Sequence, residues 1–164
     1  MNLHPLQAYT MQVFALRLKP EADLRDSLRD FIQTRNIQAG FILTTVGSLK
    51  QAAIRFAGKS ENQIFVGDLE IVSLVGTLSQ DGVHLHISIA DSAGKTIGGH
   101  LSQGTIVRTT AEIVIGESTA HRFSRVVDEE TGYKELQVEG RSGEEGEARR
   151  DAHMDPGKYE TQTS

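Results

Sequence analysis

The chain has 164 residues and a formal net charge of -5, long enough for one domain with a hydrophobic core and too acidic for a protein whose main task is neutralising phosphates. It contains no cysteine, which excludes disulfides, thiolate metal sites, iron–sulfur clusters and a cysteine nucleophile. Any metal site must be built from histidines and carboxylates.

The opening "MNLHPLQAYTMQVFALRL" lacks the basic region, unbroken apolar run and small-residue cleavage site of a secretory signal, and no later stretch reaches the length of a membrane span. A cytoplasmic protein is the expectation. Residues 1–8 read as an N-terminal extension. From Tyr9 to Leu18 the sequence "YTMQVFALRL" predicts a strand with apolar residues on both faces, hence buried on both sides. Pro20 ends it. In "EADLRDSLRDFIQTRN" the residues Leu24, Leu28, Phe31 and Ile32 fall at helical spacing, with acidic residues in the first turn and Arg35 in the last.

After Gly40 the segments "FILTTVGSL", "AAIRFA", "NQIFVG", "LEIVSLVGTLS" and "VHLHISIA" predict closely spaced strands, which favours antiparallel pairing. "TIGGHL", "TIVRTTAEIVIGES" and "AHRFSRVVDEETGYKELQV" continue the pattern, with Asp128–Gly132 as the turn of a last hairpin. The predicted fold class is therefore α+β, a mostly antiparallel β-sheet with one main flanking helix, over residues 9–139. Residues 140–164, rich in charge and glycine, carry no apolar face that could offset the entropy of ordering and read as a flexible tail.

Chemistry concentrates in "GVHLHISIADSAGKTIGGH", residues 82–100, which holds three of the six histidines. On a strand His84 and His86 share a face, about 6–7 Å apart, so both imidazoles can reach one divalent ion. A five-residue loop from Asp91 to Lys95 would pair Ala90 with Thr96 and so His86 with His100; a slip of one residue would turn His100 to the other face. Gly98 and Gly99 leave room for close backbone approach and for non-standard dihedrals. Three histidines with an open fourth position are the arrangement of catalytic zinc. The same alternation of His with Val83, Leu85, Ile87 and Ile89 also describes a plain exposed strand face, so the spacing permits a metal without requiring one.

Glu112, a carboxylate in the apolar context "TTAEIVI", could be a fourth ligand, a partner to an imidazole or a general base; equally it could pair with Arg108 or Arg122. Arg17, at the end of an apolar strand, calls for a carboxylate partner or an anion. Ser88, His86 and Asp91 have the residue types of a hydrolytic triad but no nucleophile elbow, and neither a Walker A loop nor Gly-x-Gly-x-x-Gly occurs. His4, His121 and His153 carry no partner pattern and read as surface residues.

The run "GDLEIVSLVGTLSQDGVHLHISIADSAGKTIGGHLSQGTIVRTTAEIVI" resembles the plant-and-prokaryote-conserved (PPC) domain in the order of its Gly-x-x-Glu-Ile strand, His-x-His strand, Gly-Gly-His turn and Thr-Ala-Glu strand. The likeness extends from about Thr10 to Val138, through "FALRLKP" and "DEETGYKEL". It implies an α+β domain that assembles as a homotrimer, with His84, His86 and His100 as ligands of a divalent metal. The acetolactate decarboxylases, distant in sequence but similar in fold, hold zinc with such a set. Two functions follow as expectations. One is a binding or regulatory module, DNA-binding or accessory to a transcription complex, with a protein partner. The other is a zinc-dependent lyase or hydrolase acting on a small carbonyl or carboxylate substrate, with Glu112 moving a proton and Arg17 holding an anionic group. Plant members bind DNA through an AT-hook, an Arg-Gly-Arg-Pro segment that enters the minor groove. This chain has none, its tail arginines Arg141, Arg149 and Arg150 stand among glutamates, and Asp68 occupies a place where plant members tend to carry arginine.

Overall fold

A computed structural model describes residues 10–141. Its elements are β1 (Met11–Leu18), α1 (Leu24–Arg35), β2 (Gly40–Arg55), β3 (Asn62–Ser79), β4 (Gly82–Ala90), β5 (Thr96–Leu101), β6 (Ile106–Ser118), β7 (His121–Val127) and β8 (Lys134–Gly140). The predicted α+β class, antiparallel sheet with one helix, is what the chain forms. The N-terminal extension and all but the start of the expected tail lie outside the described residues, and Gly140 is the last residue of β8.

The helix starts where Asp23, in extended conformation, accepts the Asp26 N–H on its Oδ1 at 2.9 Å. It stops at Asn36, whose left-handed φ of 51° lets its own N–H turn back to the Gln33 carbonyl. Leu24, Leu28, Phe31 and Ile32 are buried against the sheet, and Phe31 meets Phe14 of β1 edge-on at 6.0 Å. Each such side chain contributes about 1.5–3 kcal/mol on burial, so this stripe, rather than helix propensity, holds α1 in place.

The main sheet runs β1-β6-β2-β3-β4-β5, and β5 returns to β2 through Ile54↔Leu101 and Arg55↔His100. Strands β2 to β5 thereby close on themselves, and β6 and β1 extend the sheet beyond the closed part. Closure hides the outer edge of β5 for the length of that contact, where an open edge would present unpaired backbone groups. Two sequence expectations change. The separately predicted segments 41–49 and 52–57 fuse into the 16-residue β2, and 62–67 with 69–79 into the 18-residue β3, with bulges at Leu49/Gln51 and Ile71/Ser73. The polar residues between them, Lys50, Gln51 and Asp68, lie within continuous strands instead of ending them. The first strand, expected to be buried on both faces, is buried on one only: Leu16 and Leu18 face the core, whereas Met11 is 48% and Val13 56% exposed. Only one face of β1 is covered; its other face is exposed.

Strands β7 and β8 form the predicted last hairpin as a separate two-stranded sheet, turned by Asp128, whose Oδ1 accepts the N–H groups of Glu130 and Thr131. The hairpin is tied to the body by Phe123 N–H donating to the Gln38 carbonyl at 2.9 Å and by Arg125 N–H donating to Asp81 Oδ2 at 3.1 Å. These two bonds decide which part of the molecule the hairpin overlooks.

Candidate metal centre

Along β4 the odd-numbered residues Val83, Leu85, Ile87 and Ile89 are buried, which turns His84 and His86 together onto the outer face. The loop that follows is pinned by Asp91, whose Oδ1 accepts N–H from Ala93 and Lys95, each at 2.9 Å. The register is the one that a five-residue loop requires: Ala90 opposite Thr96 and His86 opposite His100. All three rings therefore converge. Their centroids are 5.1 Å (His84–His86), 5.3 Å (His84–His100) and 5.7 Å (His86–His100) apart, and one ring nitrogen from each lies within 4.8 Å of the others.

Glycine makes this packing possible. A Cβ on Gly98 would lie 2.6 Å from the Ile87 carbonyl oxygen, and one on Gly99 would lie 2.8 Å from that of Arg55, so β5 fits between β4 and β2 only where it carries no side chain. Neither has a positive φ; close approach, not unusual dihedrals, is what the pair supplies. On the other side of β4, Gly76 at φ 149° would place a Cβ 2.0 Å from the His84 carbonyl oxygen. Gly76, absent from the sequence-level candidates, sets how closely β3 approaches His84.

The surroundings disfavour protonation of His84 and His100. Burial, then the nearby Arg125 and His86, lower the proton affinity of His84, against a raising influence from Glu135. Burial, then Arg55 and the other two histidines, lower His100 to about 4. Neutral imidazole is the form that ligates a metal. The Nδ1 of His100 is buried and has no hydrogen-bond partner among the described residues, a cost normally avoided and one that a bound cation would remove. Zinc at about 2.1 Å from each nitrogen asks for separations of roughly 3.4 Å, within reach of small ring rotations from this arrangement. The three histidines thus fit a divalent ion and leave a coordination position open.

In the metal-free protein both lowered histidines bind protons less readily than in the unfolded chain. Between the folded value of His100 near 4 and the unfolded value near 6.5 the unfolded chain therefore takes up more protons, and stability falls as pH falls through that window. Thermal melts of the metal-free chain should show a falling melting temperature from neutrality to about pH 4. His100→Gln, which cannot be protonated, should flatten that slope; an unchanged slope would mean that other groups control it.

A shallow cavity of about 210 Å³, lined by Val75, Gly76, Thr77, His84 and His86, opens beside the rings. Arg125 reaches it from β7, donating from Nη2 to Thr77 Oγ1 at 2.9 Å. Glu112 is not part of this group. It lies on β6 opposite Arg17 of β1 and Val46 of β2, in a separate cleft of about 500 Å³ that Arg17, Thr110 and Val114 also line. Arg17 Nε donates to Thr110 Oγ1 at 3.1 Å. Arg108, offered as a partner of Glu112, forms its ion pair with Asp68 instead. The antiparallel neighbours of β6 are β1 and β2, not the histidine strands, and that strand order separates Glu112 from the imidazoles. The triad reading of Ser88, His86 and Asp91 also dissolves: Asp91 is engaged in its own turn, and Ser88 lies against Gly98.

The family model described as the Plants and Prokaryotes Conserved (PCC) domain matches residues 7–119. A curated relative, bifunctional protein GlmU of Synechococcus sp. (strain JA-3-3Ab), is 47% identical over 135 residues, 82% of this chain but 22% of that protein. The chain spans about a fifth of the length of the curated relatives it matches. Among solved structures, a hypothetical protein from Salmonella enterica is 40% identical with a TM-score of 0.80, covering 83% of this chain and 99% of that one. Two more distant structures share the fold at a TM-score of 0.67. A metal-containing protein from Archaeoglobus fulgidus is 23% identical (80% and 99% covered), and a candidate DNA-binding protein from Bacteroides thetaiotaomicron is 22% identical (79% and 96% covered).

Proposed function

The chain belongs to the Plants and Prokaryotes Conserved domain family, and we propose that it is a binding or regulatory module built around a zinc ion held by His84, His86 and His100. The observation that carries this reading is the convergence of three imidazoles, one with a buried ring nitrogen that has no hydrogen-bond partner among the described residues. The zinc would supply a Lewis-acid position at the protein surface. The chain's own contribution is to hold three ligands in register through the Asp91 turn and the glycine contacts. That the matching segment forms only about a fifth of the GlmU relatives supports a domain used as a unit beside other sequence. The test is metal analysis with thermal melts. Zinc should bind one per chain and raise the melting temperature by about 5–10 °C at a hundredfold excess over its Kd. The absence of both stoichiometric zinc and a melting shift would defeat the assignment.

Assembly is the second part of the proposal. The outer sheet face exposes Met11, Val13, Val46 at 57%, Val72 at 55% and Val75 at 56%, apolar side chains that an interface would bury. A homotrimer of this domain would cover it. Sedimentation is expected to give three chains per particle, and a stable monomer would contradict this. The position left open on the ion favours a second reading, a zinc-dependent enzyme acting on a small carbonyl or carboxylate compound. In that reading Glu112 and Arg17 serve the histidines only if assembly brings their cleft to a neighbouring chain's site. A DNA-binding role finds little support in a chain of net charge -5; binding to A·T-rich duplex should stay weak even at low salt.

A further inference from the structure

We propose that the free edge of β1 takes up strand β8 of a second copy of this chain, so that the hairpin of one protomer continues the main sheet of the next. This deepens the homotrimer reading and rests on it. Strand β1 ends the six-stranded sheet and pairs only with β6, while at the other end β5 returns to β2. In the small sheet the edge of β7 is engaged by the body, through Phe123 N–H to the Gln38 carbonyl and Arg125 N–H to Asp81 Oδ2, whereas β8 pairs with β7 alone. Among the described residues two long strand edges are therefore left open, eight residues in β1 and seven in β8. Such edges expose backbone N–H and C=O groups, and proteins usually blunt them with a proline, a bulge or inward-pointing charges. Strand β1 has none of these. Its register against β6 runs unbroken from Met11↔Ser118 to Leu18↔Ala111, and its single charged residue, Arg17, is exposed on the outer face.

The side chains select the occupant. Strand β1 turns Phe14, Leu16 and Leu18 toward α1 and the core, and Met11, Val13, Ala15 and Arg17 outward. Strand β8 is divided in the same way, with Leu136 and Val138, 41% and 52% exposed, on one face and Glu135, Gln137 and Glu139 on the other. Antiparallel pairing with Arg17 opposite Glu135 sets Leu16 opposite Leu136 and Phe14 opposite Val138. Opposite charges then meet on the outer side and apolar side chains on the core side, the pairings that stabilise neighbouring strands. Two copies of β1 paired with each other would gain no match of charge, since the strand carries no acid. A contact between two different edges is heterologous, so it repeats from chain to chain until a ring closes. A homotrimer is such a ring. It also gives the two-stranded hairpin, marginal on its own, a third strand to pair with.

The full chain contains no cysteine, so paired cysteines report the contact without background. Ala15 and Gln137 are both exposed and stand opposite each other in this register, and directly opposed strand residues are within disulfide reach. The double variant Ala15→Cys, Gln137→Cys, oxidised at low protein concentration, should run as covalent dimers and trimers on denaturing gels, whereas each single variant should run as one chain. Sedimentation of the reduced variants beside the natural chain shows whether the substitutions leave assembly intact. Dimers formed by Ala15→Cys alone would place a second β1 on that edge. A trimer by sedimentation whose double variant forms no link between chains would place the contact elsewhere. Either result overturns the β1–β8 pairing and leaves the homotrimer standing. A natural chain that sediments as a monomer overturns the homotrimer and this inference with it.

Discussion

Replacing His86 by alanine is expected to weaken divalent-metal affinity by more than about a hundredfold and leave the metal-free fold almost unchanged. The size of the loss follows from the ligand count. Removing a group that merely orients a metal ligand commonly costs 10- to 100-fold, so removing a ligand outright from a set of three should exceed that. The small effect on folding follows from place. His86 is exposed, faces outward from β4, and has the exposed Val75 across from it on β3, so its removal opens no cavity in the core. Surface substitutions of this kind usually stay within about 0.5 kcal/mol. Isothermal titration with zinc, beside a melt of the metal-free variant, checks both halves. Metal retained at full affinity would remove His86 from the ligand set, and a large drop in metal-free stability would show that the ring has a structural role.

Gly76→Ala should do the reverse, damaging both fold and site. The backbone there has φ 149°, a conformation that L side chains rarely adopt, and an added Cβ would meet the His84 carbonyl oxygen at 2.0 Å. The dihedral strain and the forced separation of β3 from β4 each cost on the order of 1–3 kcal/mol, so a total of about 2–4 kcal/mol is expected. Because the atom displaced belongs to His84, one of the three histidines proposed to hold the ion, metal affinity should fall as well. Gly82→Ala is the matched comparison. Its φ is 135°, but nothing lies within 4 Å of the added carbon, so only the dihedral cost of about 1 kcal/mol applies. Denaturant melts of the two variants separate the terms. Equal destabilisation would mean that the close contact at Gly76 relaxes without cost.

Much of this site was legible in the residues because its geometry is local. The period-two alternation of β4 and the length of the Asp91–Lys95 loop determine that His84, His86 and His100 share a face, and both are short-range features. The helix was legible for the same reason: its apolar spacing, with acidic residues in the first turn and Arg35 in the last, acts within a few residues. What could not be read depends on pairings far apart along the chain. Nothing in "TTAEIVI" reveals that β6 lies between β1 and β2, and this placement takes Glu112 away from the histidines and puts it opposite Arg17. The apolar alternation of β1 shows two apolar faces but not that one of them lacks a covering layer. Arg125 looked like any charged hairpin residue until the bonds from Phe123 to Gln38 and from Arg125 to Asp81 set the hairpin beside Thr77 and His84. Gly76 sits in a run, "SLVGTLS", whose glycine could equally have ended a strand.

The most direct test of the central claim is anomalous diffraction at the zinc edge from crystals of the protein grown with zinc. One strong peak per chain is expected among the ring nitrogens of His84, His86 and His100, with no fourth protein ligand and the open side facing Arg125. A map with no peak there, or a peak coordinated through Glu112 and Arg17's cleft instead, would contradict it.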